Sequence, residues 1–583
     1  MDNDGVAEIL DEIGTLLEIK GENPFKTRAY QNASRTIEGL TEPLSKIIEE
    51  DRLKSLKGIG KALQEKVTAL VTTGELEYYT NLKESIPPGL IEMLKISGMG
   101  PKKIKAINDE LGVDTIDGLE AACKGGELAG LSGFGKKTEQ KILESLDFLR
   151  KFGTKHRIDD ALAVAEPILE SLRSHPDVIR CSIAGSLRRW KETIGDVDFL
   201  VSSTKPANLI DFFTSQPGIL NVLAQGGTKA SVNMEGGIQA DLRVVSDHEF
   251  ACALAYFTGS KEHNIVMRQR AIERGLRLNE YGLFRSKEET RDPKLRLDCR
   301  TEEDIFKELD LTYIPPELRE DKGEFQAGEQ SKLPELLKWT DLKGSLHNHS
   351  NWSDGKQSLE EVAAMADEMG CAYWAITDHS RSSFVANGLD EKRVEEQLIA
   401  IEKVNKSYEK DGNAFRLLSG SEVDILSGGK LDFDDDLMAQ LDCVVASVHQ
   451  GFGGSEAEMT KRIIKAAENS YVQTLGHITG RLLLTRDAYK LNQHAVIDAC
   501  AETGTWIELN ASPYRMDMDW RLWHYAREKG VKCVINCDAH RSAHYGFLRL
   551  GAGVARKGWL TKKDVVNTLT LKQLQKALLK KRS

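Results

Sequence analysis

The sequence has no long hydrophobic run, and nowhere does it approach the roughly 20 apolar residues that a membrane-spanning helix requires. Its first residues, MDNDGVAEIL, are acidic and contain no apolar signal core. The nine cysteines are scattered and form no C-x-x-C pair, a pattern typical of reduced, mostly buried thiols. We therefore expect a cytoplasmic protein that makes no use of a membrane.

What the sequence does have is length and charge of both signs. Its 583 residues are enough for several domains with ample cores. Contents of 40% hydrophobic and 29% charged residues are typical of a globular protein. The net charge of −11 disfavours a protein that only binds nucleic acid. It does not exclude DNA binding, because local basic patches matter more than the total and acidic metal sites subtract from it.

The most informative segment is 184–201, AGSLRRWKETIGDVDFLV, which reads as a turn, a basic stretch and a strand. Gly185 and Ser186 form the turn, and the strand carries Asp196 and Asp198 among apolar residues. Side chains alternate along a strand, so both carboxylates share one face, where repulsion raises a pKa unless a cation neutralises them. Mg²⁺ with oxygen ligands is the usual solution. A strand end with two solvated aspartates is the alternative, and D-x-D alone does not decide between them.

The turn upstream favours the metal site. G-S-x(9–13)-D-x-D is similar to the signature of the nucleotidyltransferase superfamily, whose two-metal chemistry needs a third carboxylate from a neighbouring strand. Asp241 in GIQADLRVV is the candidate, because it lies in another apolar, alternating run. The backbone N–H groups and hydroxyl of the Gly-Ser turn, with the arginines that follow, would donate to the oxygens of a polyphosphate.

The amino-terminal part repeats one motif three times, in LKGIGKA, ISGMGPK and LSGFGKK. A single G-x-G is a common turn between helices, but three copies with the same flanks resemble the helix-hairpin-helix motif of DNA-binding proteins. Glycines allow close backbone approach, and the next helix offers free N–H groups to a phosphate, so such motifs hold duplex DNA without reading its sequence. The predicted DNA-binding glycines are Gly58, Gly60, Gly98, Gly100, Gly133 and Gly135.

Lys66 lies on the helix that follows the first hairpin. An amine beside bound phosphate is a candidate nucleophile toward the aldehyde of an abasic sugar. A lysine that contacts phosphate, or is merely solvated, is the other interpretation, and both stay open.

Residues 1 to about 320 resemble the family X DNA polymerases: the Gly-Ser turn, GDVD, the third aspartate, YFTGS at 256–260 and NEYG at 279–282 occur in the family's order. The resemblance implies that Asp196, Asp198 and Asp241 hold two Mg²⁺ ions, and it gives Lys66 the position of the family's lyase lysine. It implies nucleotide binding by Gly185, Ser186, Arg189, Gly195, Tyr256, Phe257, Gly259 and Asn264, and minor-groove contact by Asn264 and Arg268. Gln239 replaces an arginine of the animal repair members, and Lys261 replaces an aspartate that contacts the incoming base. Neither departure removes a metal ligand.

The carboxyl-terminal half, reached through a polar stretch at 322–331 that reads as a linker, alternates strand-like and helical runs. This pattern predicts a βα barrel or a layered α/β domain, whose chemistry lies at the strand ends. A histidine occurs at each of five separate strand ends. A single histidine is usually a core or surface residue, but that interpretation does not account for five in equivalent positions. The candidate metal ligands are His347, His349, Asp354, His379, Glu422, His449, His477, Asp538 and His540. Imidazole plus carboxylate suits Mn²⁺, Zn²⁺ or Fe²⁺ in a multinuclear phosphoesterase site.

This half resembles a PHP (polymerase and histidinol phosphatase) domain, because H-x-H with S-D-G, T-D-H, a glutamate, two single histidines and D-x-H occur in that order. The resemblance implies that all nine candidates are ligands, and none is substituted. A chain that joins both halves is similar to the bacterial and archaeal members of family X.

We therefore predict a multidomain protein with α+β and α/β parts. It comprises a helical amino-terminal domain (1–85), fingers with further hairpins (86–155), a nucleotidyltransferase palm (156–262), a thumb (263–320), a linker (321–340) and a distorted (βα)7 PHP barrel (341–575). The two halves are expected to be separable.

The predicted function is repair of DNA by a gap-filling polymerase joined to a 3′→5′ exonuclease, with 3′-phosphatase or abasic-site cleavage as further activities. The expected partners are gapped or nicked double-stranded DNA and dNTPs, and the chain is expected to be a monomer. The expected cofactors are Mg²⁺ at the polymerase site and Mn²⁺ or Zn²⁺ at the barrel. One alternative, an RNA-end nucleotidyltransferase fused to a small-molecule phosphatase, is disfavoured by the hairpins and YFTGS. The other, a DNA-binding scaffold with inactive sites, is disfavoured by the complete ligand sets.

Overall fold

The computed structural model describes residues 1, 3–38, 40, 43–56, 58–96, 99–131, 133–152 and 155–582. The chain divides into two compact units, residues 1–153 with 484–486 and residues 154–483 with 487–583. Among the described residues, no helix combines the length and apolarity that crossing a bilayer would require.

The first unit is helical, and the predicted hairpins recur in it with one local structure. Each motif follows a short 3₁₀ turn, at Leu53–Ser55, Met93–Lys95 and Leu128–Gly130, and leads into a helix. The helices are α1 (Asn3–Ile19), α2 (Pro24–Glu38), α3 (Leu44–Glu49), α4 (Lys61–Thr73), α5 (Glu77–Glu84), α6 (Pro88–Glu92), α7 (Pro101–Leu111), α8 (Ile116–Gly125) and α9 (Lys136–Phe152). Apolar side chains at helical spacing, such as Leu10 and Ile13 on α1, are fully buried and form its core.

The second unit begins with a domain built around a mixed sheet. Its elements are β1 (His156–Arg157), α10 (Ile158–Ser174), β2 (Arg180–Ile183), α11 (Gly185–Arg188), β3 (Thr193–Ile194), β4 (Asp196–Ser202), α12 (Pro206–Thr214), β5 (Ile219–Gln225), β6 (Lys229–Met234), β7 (Gln239–Val245) and α13 (Phe250–Thr258). The sheet has five strands in the order β2-β4-β7-β6-β5. The central strands β4 and β7 run parallel. Alternation along β4 buries Val197 and Phe199 and leaves Asp196 and Asp198 toward the opposite face.

A small lobe follows, formed by α14 (Lys261–Glu273), β8 (Arg277–Asn279), β9 (Gly282–Phe284) and α15 (Glu302–Glu308). The stretch that we predicted to be a polar linker is instead a packed helix, α16 (Glu324–Glu329), and that prediction is wrong. Glu324 is fully buried, and its carboxylate accepts hydrogen bonds from the backbone N–H groups of Asp321 and Lys322 and bonds to Nδ1 of His263. These partners satisfy a charge that burial alone would make costly.

The carboxyl-terminal half is a barrel of seven parallel strands whose spatial order follows the chain. Its elements are β10 (Gly344–Ser345), α17 (Leu359–Glu368), β11 (Tyr373–Ile376), α18 (Glu391–Lys410), β12 (Arg416–Asp424), α19 (Asp435–Met438), β13 (Cys443–Ser447), α20 (Glu456–Ala467), β14 (Thr474–Leu475), α21 (Gln493–Thr503), β15 (Trp506–Asn510), α22 (Trp523–Glu528), β16 (Cys533–Asn536), α23 (Phe547–Lys557) and α24 (Leu571–Arg582). A parallel bridge between Asn348 and Ala539 joins the first and last strand ends. The predicted seven-stranded barrel is confirmed.

The sheet and the barrel pack against each other within the second unit. Nε1 of Trp190 donates to the carbonyl of Leu550 on α23 at 3.0 Å, and Nε1 of Trp520 donates to Glu192 at 3.0 Å. Trp190 fits only because residue 553 is glycine, since a Cβ there would lie 1.7 Å from the indole nitrogen. Removing the barrel would expose this interface, so whether each half folds and works alone stays a prediction.

Candidate active sites

The first site is a carboxylate cluster on the central sheet. The parallel register of β4 and β7 places Asp198 directly opposite Asp241, with Asp196 two residues earlier on the same face. Oxygen atoms of the three carboxylates lie within 4.8 Å of one another. Burial, together with the charges of Asp196 and Asp241, raises the pKa of Asp198 to about 7. An all-oxygen set of this kind fits a hard divalent cation such as Mg²⁺.

The Gly-Ser turn lies against this cluster. Gly185 has a φ of +63°, and a Cβ at this position would lie 2.1 Å from Oδ2 of Asp198. The backbone N–H of Ala184 donates to the carbonyl of Asp198 at 2.8 Å. Only glycine permits this approach, which brings the start of α11 and Ser186 beside the carboxylates.

Arg189 is placed differently from what the resemblance implies. Its side chain is buried, with Nε donating to Glu320 at 3.0 Å and Nη1 donating to the carbonyl of Thr258 at 2.8 Å. Lys557 of α23 binds the same Glu320 at 2.6 Å and the carbonyl of Arg189 at 3.0 Å. In this structure Arg189 therefore holds the turn in place instead of offering a free guanidinium to phosphate.

The predicted nucleotide pocket lies at the end of α13. Nδ2 of Asn264 donates to the carbonyls of Tyr256 at 2.7 Å and Gly259 at 3.2 Å, so this amide holds the turn. A Cβ at Gly259 would lie 2.5 Å from Oδ1 of Asn264, which explains the glycine. The guanidinium carbon of Arg243 lies 4.6 Å from the centre of the Phe257 ring, over its face. Arg268 is exposed on α14, where a DNA contact is open to it.

Two further side chains complete the surroundings of the cluster. Gln239 donates to Oδ1 of Asp241 at 3.1 Å, and Nζ of Lys229 lies 3.5 Å from Oδ2 of the same residue. Gln239 therefore supports the third aspartate through this hydrogen bond. Sequence reasoning missed Lys229, since a lysine on a neighbouring strand carries no signature.

The hairpins of the first unit present open backbone. Gly58 and Gly133 have φ values of +86° and +84°, which favour glycine. A Cβ would meet nothing within 4 Å at Gly58, Gly60, Gly100, Gly133 or Gly135, so side chains there would project into the space that a phosphate would use. The predicted Gly98 lies outside the described residues. Gly60 and Gly100 directly precede α4 and α7, and the N–H groups of Lys61 and Ala62 on α4 and of Lys102 on α7 have no partner within their helices.

Lys66 lies on α4, with Nζ 4.5 Å from the centre of the Tyr78 ring. The structure places the amine near the first hairpin and assigns it no chemical role.

The second site lies at the carboxyl ends of the barrel strands and brings all nine predicted residues together. Glu422 on β12 is its centre, and its oxygens lie between 2.9 and 3.7 Å from nitrogens of five imidazoles. Those imidazoles belong to His347, His349, His379, His449 and His477. Burial raises the pKa of Glu422, but the neighbouring histidines outweigh that effect and hold it well below its usual range.

Two aspartates complete this cluster. Oδ2 of Asp354 lies 3.7 Å from Nε2 of His379 and 3.5 Å from Nε2 of His540. Oδ1 of Asp538 lies 3.1 Å from Nε2 of His349. Three overlapping groups of ligand atoms are compact enough to hold an ion. They are His349 with Asp354, His379 and His540; His347 with His349 and Glu422; and His379 with Glu422 and His449. This arrangement fits a multinuclear centre.

Two carboxylates that sequence reasoning missed orient the imidazoles. Glu508 on β15 is fully buried and bonds to Nδ1 of His347 at 2.7 Å, and Asp424 bonds to Nδ1 of His449. Such partners fix the tautomer and direction of a ligand. Asp424 stands two residues after Glu422 on one strand, a spacing that could have revealed it, whereas Glu508 carried no such signal.

The nitrogen atoms of the cluster support a metal centre. Within the described part of the chain, Nδ1 of His349 and Nδ1 of His477 are buried without a hydrogen-bond partner. A buried polar atom is rarely left unsatisfied, and a metal ion would satisfy it. Imidazoles mixed with carboxylates suit Mn²⁺, Zn²⁺ or Fe²⁺ better than Mg²⁺.

Family models match four parts of the chain. They are a helix-hairpin-helix domain over residues 1–76, a SAM-like helix-hairpin-helix tandem over 90–147, a DNA polymerase beta thumb over 253–320 and a PHP domain over 345–512. Together with the two clusters, they define a class of metal-dependent enzyme in which a nucleotidyl-transfer site is joined to a PHP centre.

The chain belongs to the family X DNA polymerases with a carboxyl-terminal PHP domain. It is 38% identical over 572 residues, 98% of both chains, to the DNA polymerase/3′-5′ exonuclease PolX of Bacillus subtilis (strain 168). It is 25% identical over 350 residues to DNA polymerase lambda of Rattus norvegicus, covering 54% of this chain and 56% of that one. It is also 31% identical over 162 residues to a probable phosphatase of Thermoanaerobacter sp. (strain X514), covering 26% of this chain and 64% of that one.

Proposed function

We propose that this chain is a DNA repair enzyme that fills short gaps at the sheet and removes nucleotides from DNA 3′ ends at the barrel. The observation that carries the first activity is the opposition of Asp198 and Asp241 beside a Gly-Ser turn. The compact set of nine imidazoles and carboxylates at the barrel mouth carries the second.

In the polymerase site, the three aspartates would hold two Mg²⁺ ions, which supply charge stabilisation to the attacking and leaving oxygens of an in-line displacement. Asp241 lies on the side of the cluster that we assign to the primer 3′-hydroxyl. The hydroxyl of Ser186 and the N–H groups of the turn donate to the β- and γ-phosphates. Arg189, which follows this turn, is held by Glu320 and the carbonyl of Thr258 and would help to keep the turn in place.

In the barrel site, the nine ligands would hold Mn²⁺ or Zn²⁺, which generate hydroxide from water at neutral pH. Glu508 and Asp424 keep His347 and His449 in the tautomers that bind metal. A cavity of about 390 Å³ opens directly onto the cluster and includes Arg515 in its wall. We assign it to the 3′-terminal nucleotide, with 3′-phosphatase and abasic-site cleavage as further reactions of the same centre.

The hairpins would hold gapped or nicked duplex DNA through its phosphates, and Lys66 is a candidate lyase nucleophile beside the first of them. dNTPs are the second substrate. We expect the protein to act as a monomer in the cytoplasm.

The test is a duplex with a one-nucleotide gap and a labelled primer, incubated with Mg²⁺ or Mn²⁺, with and without dNTPs. With Mg²⁺ and dNTPs we expect the primer to grow by one nucleotide. Without dNTPs we expect it to shorten from its 3′ end, faster with Mn²⁺ than with Mg²⁺. A protein that extends RNA ends but leaves the gapped DNA unchanged would contradict the proposal.

A further inference from the structure

Two of the most exposed apolar side chains of the described residues stand side by side at the barrel mouth. Phe384 is 85% exposed and Val385 is fully exposed, in a 3₁₀ turn that follows the metal-ligating His379. Scattered apolar residues on a surface need no explanation. These two differ in their position, because both line the cavity that opens onto His379, Asp354 and the other ligands of the cluster.

The turn is fixed to the barrel at both of its ends. Oγ of Ser383 donates to Oδ2 of Asp424 at 2.9 Å, and Asp424 is the carboxylate that orients His449. On the other side, Nδ2 of Asn387 donates to the carbonyls of Trp352 at 3.0 Å and Ser353 at 3.2 Å, next to the ligand Asp354. These contacts hold the backbone of the turn beside the metal cluster, and the Phe384 side chain projects from it into solvent.

We propose that Phe384, with Val385 beside it, forms a stacking surface for the base of the DNA 3′-terminal nucleotide. The inference rests on the proposed nuclease activity of the barrel. A phosphodiester that reaches the cluster at the floor of the cavity leaves the attached base at the rim, where these side chains stand. Every base has an apolar π face, so an aromatic ring there accepts any of the four bases without reading sequence.

The polar lining of the cavity agrees with this assignment. Arg515, whose Nε lies 3.6 Å from Oδ2 of Asp538, and Gln450 offer donors to a phosphate or sugar near the cluster. The apolar part of the lining is confined to the turn 384–386. The cavity is thus polar where the phosphate would bind and apolar where the base would lie.

The test compares two oligonucleotides that differ only at the 3′ end, one with a normal terminal nucleotide and one with a tetrahydrofuran abasic analogue. The full-length protein with Mn²⁺ should remove the normal nucleotide with a kcat/KM about 5- to 150-fold higher, the range that stacking on one base gives. Phe384→Ala should lose this preference while its rate on the abasic end stays at the wild-type value. Phe384→Tyr, which keeps a ring, should retain the preference.

Trp339→Ala is the matched control, because Trp339 is an exposed aromatic of the same half that does not line the cavity, and it should behave as wild type. If Phe384→Ala lost the same factor in kcat/KM on the normal and on the abasic oligonucleotide, or lost none on either, the stacking assignment would be overturned while the nuclease assignment stood. A wild-type protein that shortens neither oligonucleotide would instead overturn the proposed nuclease function, and this inference with it.

Discussion

Asp198→Asn tests whether the carboxylate cluster is built for a cation. In the metal-free protein the pKa of Asp198 rises from 3.8 to about 7, so the folded state favours the protonated carboxyl. A folded-state pKa above the unfolded one gives stability that is present below pH 3.8 and is lost as the pH rises through 7. At 1.36 kcal/mol per pH unit, the ionised group costs the fold about 4 kcal/mol above pH 7.

The side chain is partly exposed, so solvent screening reduces this cost to about 2 kcal/mol. Asp198→Asn removes the charge at nearly constant volume. It should therefore stabilise the metal-free sheet by about 2 kcal/mol at pH 8, and by about half as much at pH 5.5, where the wild-type carboxyl is mostly protonated in the folded state. With Mg²⁺ the wild-type sheet should instead be more stable than that of Asp198→Asn, because only the wild type gains stability from binding the ion.

Hydrogen–deuterium exchange of the β4 and β7 amides, in chelator and in Mg²⁺, measures this local stability without requiring the whole chain to unfold in one step. Asp211→Asn is the control, since Asp211 is an exposed carboxylate of the same sheet domain. Equal exchange rates for Asp198→Asn and the wild type at pH 8 in chelator would refute the reasoning. It would also be refuted if the variant exchanged more slowly than the wild type in chelator and the same difference remained in Mg²⁺.

Three further predictions follow from other parts of the molecule. Gly58→Val should weaken binding to gapped duplex at low salt, because a Cβ occupies the space of the phosphate and the backbone has a positive φ; unchanged affinity by fluorescence anisotropy would contradict this. Glu508→Gln should lower metal affinity at the barrel roughly 10- to 100-fold while gap filling continues, and full metal content by mass spectrometry would argue against its orienting role. A chain that ends at Glu320 should polymerise more slowly than the full chain and melt at a lower temperature, because it exposes Trp190 and removes Lys557; equal rate and melting temperature would show that the interface is dispensable.

Much of both sites was predictable because their residues follow local rules. Strand alternation alone placed Asp196 and Asp198 on one face, and an apolar alternating run pointed to Asp241 on a neighbouring strand. In the barrel, histidines and carboxylates at successive strand ends indicated a cluster, because the carboxyl ends of parallel strands meet at one edge.

What could not be predicted depends on contacts between distant segments. Arg189 was assigned to phosphate because nothing in its neighbourhood reveals that Glu320 and Lys557 enclose it. The stretch around Glu324 looked like a linker because it is polar, yet its glutamate is paired with a histidine some 60 residues away, at position 263. Partners of this kind become visible only when the chain is folded.

The most direct test of two independent chemistries in one chain uses Asp241→Ala and the double variant His349→Ala, Asp538→Ala on the same labelled, gapped duplex. Asp241→Ala should stop incorporation with Mg²⁺ and dNTPs but still shorten the primer with Mn²⁺. The double variant should lose metal and stop shortening but still fill the gap, which also excludes a contaminating nuclease. Gap filling by Asp241→Ala, or wild-type shortening by the double variant, would contradict the assignment of the two sites.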